Sequence, residues 1–368
     1  MYRIIAEKLF DGHKILEDKE VLFDEKGIHY VGEKTEGHAK QEFRAKFLTP
    51  GFIDLGSGIG LKEESLGKIE GNDFNETTNP VTSELIALDG INPYDLAFAK
   101  AIRGGTLLSL VLPGNANCIG GRGSLIYNNG ETVLDMMIKS PVGVKFSINT
   151  EPKATYTGQK KMPMTRMGIA YLIRETLYKA TEYSKDKKKL SMADEALAPL
   201  IKGEDIGFFA SFRADDIATS IRIAKEFKIK IAILYGAESN LVKTLLKENK
   251  VPVAYGPLMF PRASSELKNL SAAVPAELIE EGIEVALASG HPDFPTQYLR
   301  LQAGMLVREG ISPEKALSTI TSTPAKILGL KNFGTISKGS SPNLVAFDNP
   351  PWETKAKTQF VFIKGRAQ

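Results

Sequence analysis

The chain has 368 residues, 42% hydrophobic and 25% charged, which is ordinary for a globular protein and long enough for a large barrel plus an accessory layer. Its 47 basic and 44 acidic side chains leave a net charge of +3, which excludes the strong basic field of a nucleic-acid binder or an anionic-membrane anchor. One cysteine, Cys118, excludes an internal disulfide and a cysteine-based zinc centre. No run approaches the roughly 18 apolar residues of a membrane span. The N-terminus MYRIIAEKLFDG lacks a signal-peptide core. A cytoplasmic protein is therefore expected by default, although a protein trimmed of its leader would read the same.

Up to about residue 45, short alternating segments at 2–6, 20–23 and 28–31 predict a small antiparallel sheet with one wet face. Eight apolar runs follow, at 52–55, 107–112, 124–127, 142–148, 206–212, 229–235, 251–255 and 284–289. Each is short, rich in Val, Ile, Leu or Phe, and ends in Gly, Pro, Asn or other polar residues, as strands covered on both faces should. The glycine-rich 120–123 lacks dinucleotide-loop spacing and reads as a loop. The basic run KDKKK at 185–189 reads as a solvated segment. Helical patterns lie between several of the runs: 215–227 places Ile217, Ile221 and Ala224 on one side, 299–309 does likewise, and Ser312-Pro313-Glu314 opens another helix. Strand–helix alternation repeated in this way predicts an α/β fold, a TIM-like (β/α)8 barrel, with a doubly wound open sheet as runner-up. Strand patterns return at 343–347 and 359–363, so both termini are expected to build one β-sandwich, 1–48 plus 334–368, flanking a barrel over 49–333.

Several motifs run through nearly the whole chain in order: TPGFID (49–54), NETTNPVTSELIALDGINPYDLAF (75–98), VLPGNANCIGGRG (111–123), GVKFSINTEPK (143–153), SFRADDIATSIRIAKEF (211–227), GISPEKALSTITSTPAKILGL (310–330) and GTISKGSSPNLVAFD (334–348). Together they resemble the amidohydrolase superfamily, in particular its imidazolonepropionase-like branch. The resemblance implies a barrel whose C-terminal rim carries zinc or another divalent metal. The implied ligands are a His-x-His pair ending the first strand, often a lysine ending the fourth, histidines ending the fifth and sixth, and an aspartate ending the eighth. Such a metal activates water for attack on an amide or lactam.

Position by position, the chain departs from that pattern. Gly56 and Gly58 stand where the His-x-His pair would be, Phe212 and Tyr235 stand at the fifth- and sixth-strand histidines, and Gly290 stands at the aspartate. Lys145 aligns with the fourth-strand lysine. Of the four histidines, His13, His29 and His38 fall in the N-terminal β segment and read as surface imidazoles, leaving His291 to reach the rim beside Asp293. Glu63, Glu64, Asp215 and Asp216 complete the acids expected near that mouth, enough at most for loose binding of a hard cation. Asp215 and Asp216 read first as helix-start acids. Lys145 reads as paired with a neighbouring carboxylate, or alternatively as a nucleophilic amine. Ser57 has no identifiable base. Arg122, Arg166 and Arg213 are candidates to meet an anion or to serve structure, Arg166 as a helix cap.

The resulting expectation is a metal-free pseudoenzyme with no cofactor. It would bind a small molecule, or assemble as a homo-oligomer or with an active amidohydrolase paralogue. The alternative is hydrolysis of a cyclic amide or peptide C–N bond through a reworked site around Lys145, His291 and Asp293.

Overall fold

Each of the eight apolar runs becomes a strand of one sheet, because side chains covered on both faces leave no room for a solvated helix face. The computed structural model describes residues 1–36, 39–64, 69–185 and 191–368. The N-terminal strands are β1 (Tyr2–Phe10), β2 (Ile15–Asp24), β3 (Gly27–Gly32) and β4 (Gln41–Pro50). The barrel strands are β5 (Phe52–Ser57), β6 (Thr106–Val111), β7 (Ile119–Tyr127), β8 (Met137–Ser147), β9 (Ile206–Ser211), β10 (Lys230–Tyr235), β11 (Val253–Tyr255) and β12 (Val285–Leu287). The chain closes with β13 (Leu344–Phe347), β14 (Thr358–Ile363) and β15 (Arg366–Ala367). Strands β5 to β12 lie side by side in sequence order. No ladder joins β12 to β5, but Gly290 N donates to Gly56 O at 2.9 Å across that gap, so the barrel is nearly closed.

Two expectations need correction here. Strand β7 runs antiparallel to both neighbours, so β6, β7 and β8 form a meander and the alternation of the (β/α)8 pattern is broken. The segment 112–118 is too short for the dozen or so residues of a parallel crossover. Residues 120–123 are part of β7 rather than a loop, held against β8 with shifts of register around Gly121, whose φ is +111°. The helices at Ala214–Phe227, Leu299–Arg308 and Pro313–Ser318 match the sequence pattern, the last with Ser312 as its cap.

The terminal strands form a single seven-stranded sheet, ordered β15-β14-β13-β4-β1-β2-β3. It is mixed rather than antiparallel, because the β2–β3 hairpin occupies one edge of β1 and the returning chain pairs parallel on the other. The sheet curls enough to bring Phe23 of β2 and Phe362 of β14 edge to face at 4.9 Å, closing a sandwich-like core with Ile4, Leu9, Val21 and Leu48. Its other face packs on the barrel through Phe47, Phe347 and Ile363, so β13 and the end of β4 are covered on both faces rather than one. Gly51 joins β4 to β5 where a Cβ would come within 2.5 Å of Leu107, so only glycine fits that turn.

Candidate functional site

Parallel strands deliver their C-terminal residues to one rim, and here the ends of β5, β8, β9, β10 and β12 surround a cavity of about 160 Å³. Gly56, Gly58, Lys145, Phe212, Tyr235 and Gly290 all line it, as do His291 and Asp293. The glycines are packed. A Cβ on Gly58 would lie 2.5 Å from the Phe74 ring and 2.7 Å from His291 O, and one on Gly56 would lie 3.2 Å from the Ala288 Cβ. A side chain the size of imidazole at Gly58 would displace Phe74. Phe212 and Tyr235 stack with ring centroids 4.7 Å apart and planes 3° from parallel. Tyr235 holds φ at +75°, a left-handed value that costs a non-glycine residue about 1 kcal/mol or more, which the packed ring and its hydroxyl bond offset.

Behind the rings, Asn115 donates to the Tyr235 hydroxyl at 3.3 Å and accepts from Lys145 Nζ at 2.5 Å. Lys145 is 1% exposed and also donates to Gly114 O at 3.0 Å and Pro113 O at 3.3 Å. Burial pushes its pKa down to about 7, against the opposing charge of Glu151. In its protonated form its three N–H donors are committed to oxygens of the wall. Its hydrogen-bond partners are two carbonyls and an amide rather than the neighbouring carboxylate that was expected.

Below the rim, Asp54 is fully buried and accepts from Ser289 N at 2.9 Å, from Ser289 Oγ, and from Thr296 Oγ1 at 3.1 Å. Burial pushes its carboxyl up to about 6 despite those donors. Ser57 Oγ lies 3.0 Å from Thr296 Oγ1 and belongs to the same network, with no imidazole attached. His291 is 1% exposed, and neither ring nitrogen has a partner among the described residues. Burial lowers its pKa and favours the neutral ring.

Other candidates lie elsewhere. Glu64 pairs with Lys100, Asp215 with Arg213, and Asp216 with Arg166, so these acids do not join His291 and Asp293 in the cavity lining. Arg166 does more than cap a helix: it grips Asp216 through two bonds of 2.6 and 2.9 Å and Glu266 through a third. Arg122 donates to Glu84 O, so each of the three arginines has a partner within the chain. His13 and His29 are exposed, His29 beside Asp24, whereas His38 and residues 186–189 of the basic run lie outside the described residues. No three His, Cys, Asp or Glu side chains among the described residues come together in a way that would hold a metal ion. The donor set at the rim therefore does not fit the divalent centre implied by the resemblance.

Sequence reasoning missed Asp54, Asn115, Glu151 and Thr296. Asp54 did leave a signal, as an ionisable residue inside the otherwise apolar strand of TPGFID. Glu151 follows the Lys145 strand directly, in SINTEPK.

Comparison with known proteins agrees with this architecture. The profile described as "Amidohydrolase family" matches residues 202–367. A crystal structure of an amidohydrolase from Thermotoga maritima MSB8 is 34% identical, covers 100% of this chain with 99% of its own length, and superposes with a TM-score of 0.96. A Xaa-Pro dipeptidase structure shares the fold at 12% identity, with a TM-score of 0.64 over 100% of this chain and 99% of its own. Amidohydrolase tasK of Hapsidospora irregularis is 25% identical over 358 residues, which is 87% of this chain but only 36% of tasK, so the chain spans about a third of that relative. The extended likeness to the Thermotoga protein, over both chains and at that identity, carries the conclusion: this chain belongs to the amidohydrolase family.

Proposed function

We propose that this chain is a metal-free, non-catalytic member of the family, related to its imidazolonepropionase-like branch, whose barrel mouth has become a binding pocket. One observation carries this. The Phe212 and Tyr235 rings, stacked at 4.7 Å, occupy the places aligned with two imidazole ligands, and Tyr235 is tied through Asn115 to Lys145. Hydrogen-bonded aromatic packing stands where coordination would be needed. Glycine at the remaining positions supplies no lone pair, and the Lys145 amine has no donor left for a substrate. The alternative, hydrolysis of a cyclic amide or peptide bond through Lys145, His291 and Asp293, lacks an assembled nucleophile and base, since His291 bonds to neither Ser57 nor Lys145. Assembly as a homo-oligomer, or with an active paralogue, remains compatible with this role.

Elemental analysis of the purified protein, followed by lactam and dipeptide panels with and without zinc or manganese, tests the proposal. We expect substoichiometric metal and no turnover above buffer in either condition. One zinc or manganese per chain, or metal-dependent hydrolysis, would overturn it.

A further inference from the structure

The cavity wall is aromatic on several sides: Phe74 and Phe260 line it together with the Phe212–Tyr235 pair. Two carboxylates, Glu151 and Asp293, also face it. Neither is in a salt bridge among the described residues, although Asn115 hydrogen-bonds to Glu151, and desolvation raises the pKa of both. Lys145 opposes Glu151 through space while its N–H groups go to Pro113, Gly114 and Asn115, and Lys62 opposes both carboxylates at a distance. His291 is an independent sign of an absent guest. It is 1% exposed, lines the same cavity, and has both ring nitrogens unpaired. A neutral imidazole carries one N–H and one lone pair, and the buried lone pair without a donor is costly.

These groups share one preference. Carboxylates and an imidazole lone pair accept hydrogen bonds, and ring faces carry the negative part of the aromatic quadrupole. We propose that the barrel mouth binds a small organic ammonium ion bearing at least one N–H, its alkyl part against the rings and its charge toward Glu151 and Asp293. The inference rests on the metal-free mouth proposed above, because a divalent ion there would repel an ammonium. A carboxylate of the same size would meet Glu151 and Asp293 as like charges.

Calorimetry and thermal melting with butylammonium, its neutral isostere butanol, and butyrate test this on the whole protein. Butylammonium should bind saturably and raise the melting temperature, while butanol and butyrate do neither. Both carboxylate residues reach solvent, so the E151Q/D293N double variant should fold normally yet bind butylammonium at least about tenfold more weakly. Butanol or butyrate binding as tightly as butylammonium, no saturable butylammonium binding, or undiminished binding by the double variant would overturn the ligand class while leaving a metal-free protein metal-free. Stoichiometric zinc in the purified protein would remove both proposals together.

Discussion

Asp54 has no exposed surface and accepts from Ser289 and Thr296, so its charge is tolerated rather than comfortable. Its folded pKa, pushed up to about 6, lies above the ordinary 3.8, so the folded state binds this proton more tightly than the unfolded chain does. The stabilisation this gives is fully present below the ordinary value and is lost as pH rises through the folded one. Stability should therefore fall by up to about 3 kcal/mol between roughly pH 4 and pH 6 from this group alone. Asn at the position keeps an acceptor for Ser289 N and removes the charge. Urea unfolding across that range should show Asp54→Asn losing this component of the slope while staying within about 1 kcal/mol of the parent near pH 4. A D54N curve parallel to that of the parent would remove Asp54 as the source. Asp54→Ala should be worse, since the donors of Ser289 and Thr296 lose their acceptor, at about 1–3 kcal/mol.

Among elements, the largest commitment outside the cavity is the clamp made by Arg166. It joins the start of helix Arg166–Lys185 to the start of helix Ala214–Phe227 through Asp216, which is 2% exposed, and reaches Glu266 as well. Removing one partner of a buried pair strands the other charge, so Arg166→Ala should cost about 3 kcal/mol in denaturant unfolding, and adding Asp216→Ala should recover part of that loss. Additive losses in the double variant would show that the pair is not coupled. This contact was invisible in the sequence, because its partners stand 50 residues apart and Asp216 has a sound local explanation as an acid at a helix start. The strands were legible for the opposite reason: a run such as 206–212 carries its own burial signature. The direction of β7 was not, because direction follows from connection length and the search was for apolar runs. At the rim, the sequence placed Gly56, Gly58 and Gly290 where the resemblance implies metal ligands, and the structure lines the cavity with all three. Residue types did not disclose what Lys145 does, since its carbonyl partners at Pro113 and Gly114 leave no mark on the side-chain alphabet.

At the scale of the molecule, the two sheets share one hydrophobic core. Phe52 of the barrel stacks on Phe347 of the terminal sheet at 5.7 Å, and Phe47 meets the single tryptophan, Trp352, edge-on at 5.4 Å. The tryptophan thus reports on the seam. Its fluorescence and far-UV circular dichroism should melt together, and Phe347→Ala should lower both transitions, consistent with a loss of about 3–5 kcal/mol for a deleted core aromatic. Fluorescence and dichroism transitions that separate in the parent would mean that the sheets unfold independently. No described helix is long and apolar enough to cross a membrane.

The partnership of β4 and β13 also sets an order in time. Strand β4 runs through Gly51 into β5, the first barrel strand, yet β13, which pairs with it from Leu344 to Phe347, lies near the other end of the chain. While the polypeptide is being synthesised, β4 must wait with one edge uncovered until the whole barrel between it and β13 has left the ribosome. The strand that follows the barrel in sequence is therefore the one that seals the strand preceding it.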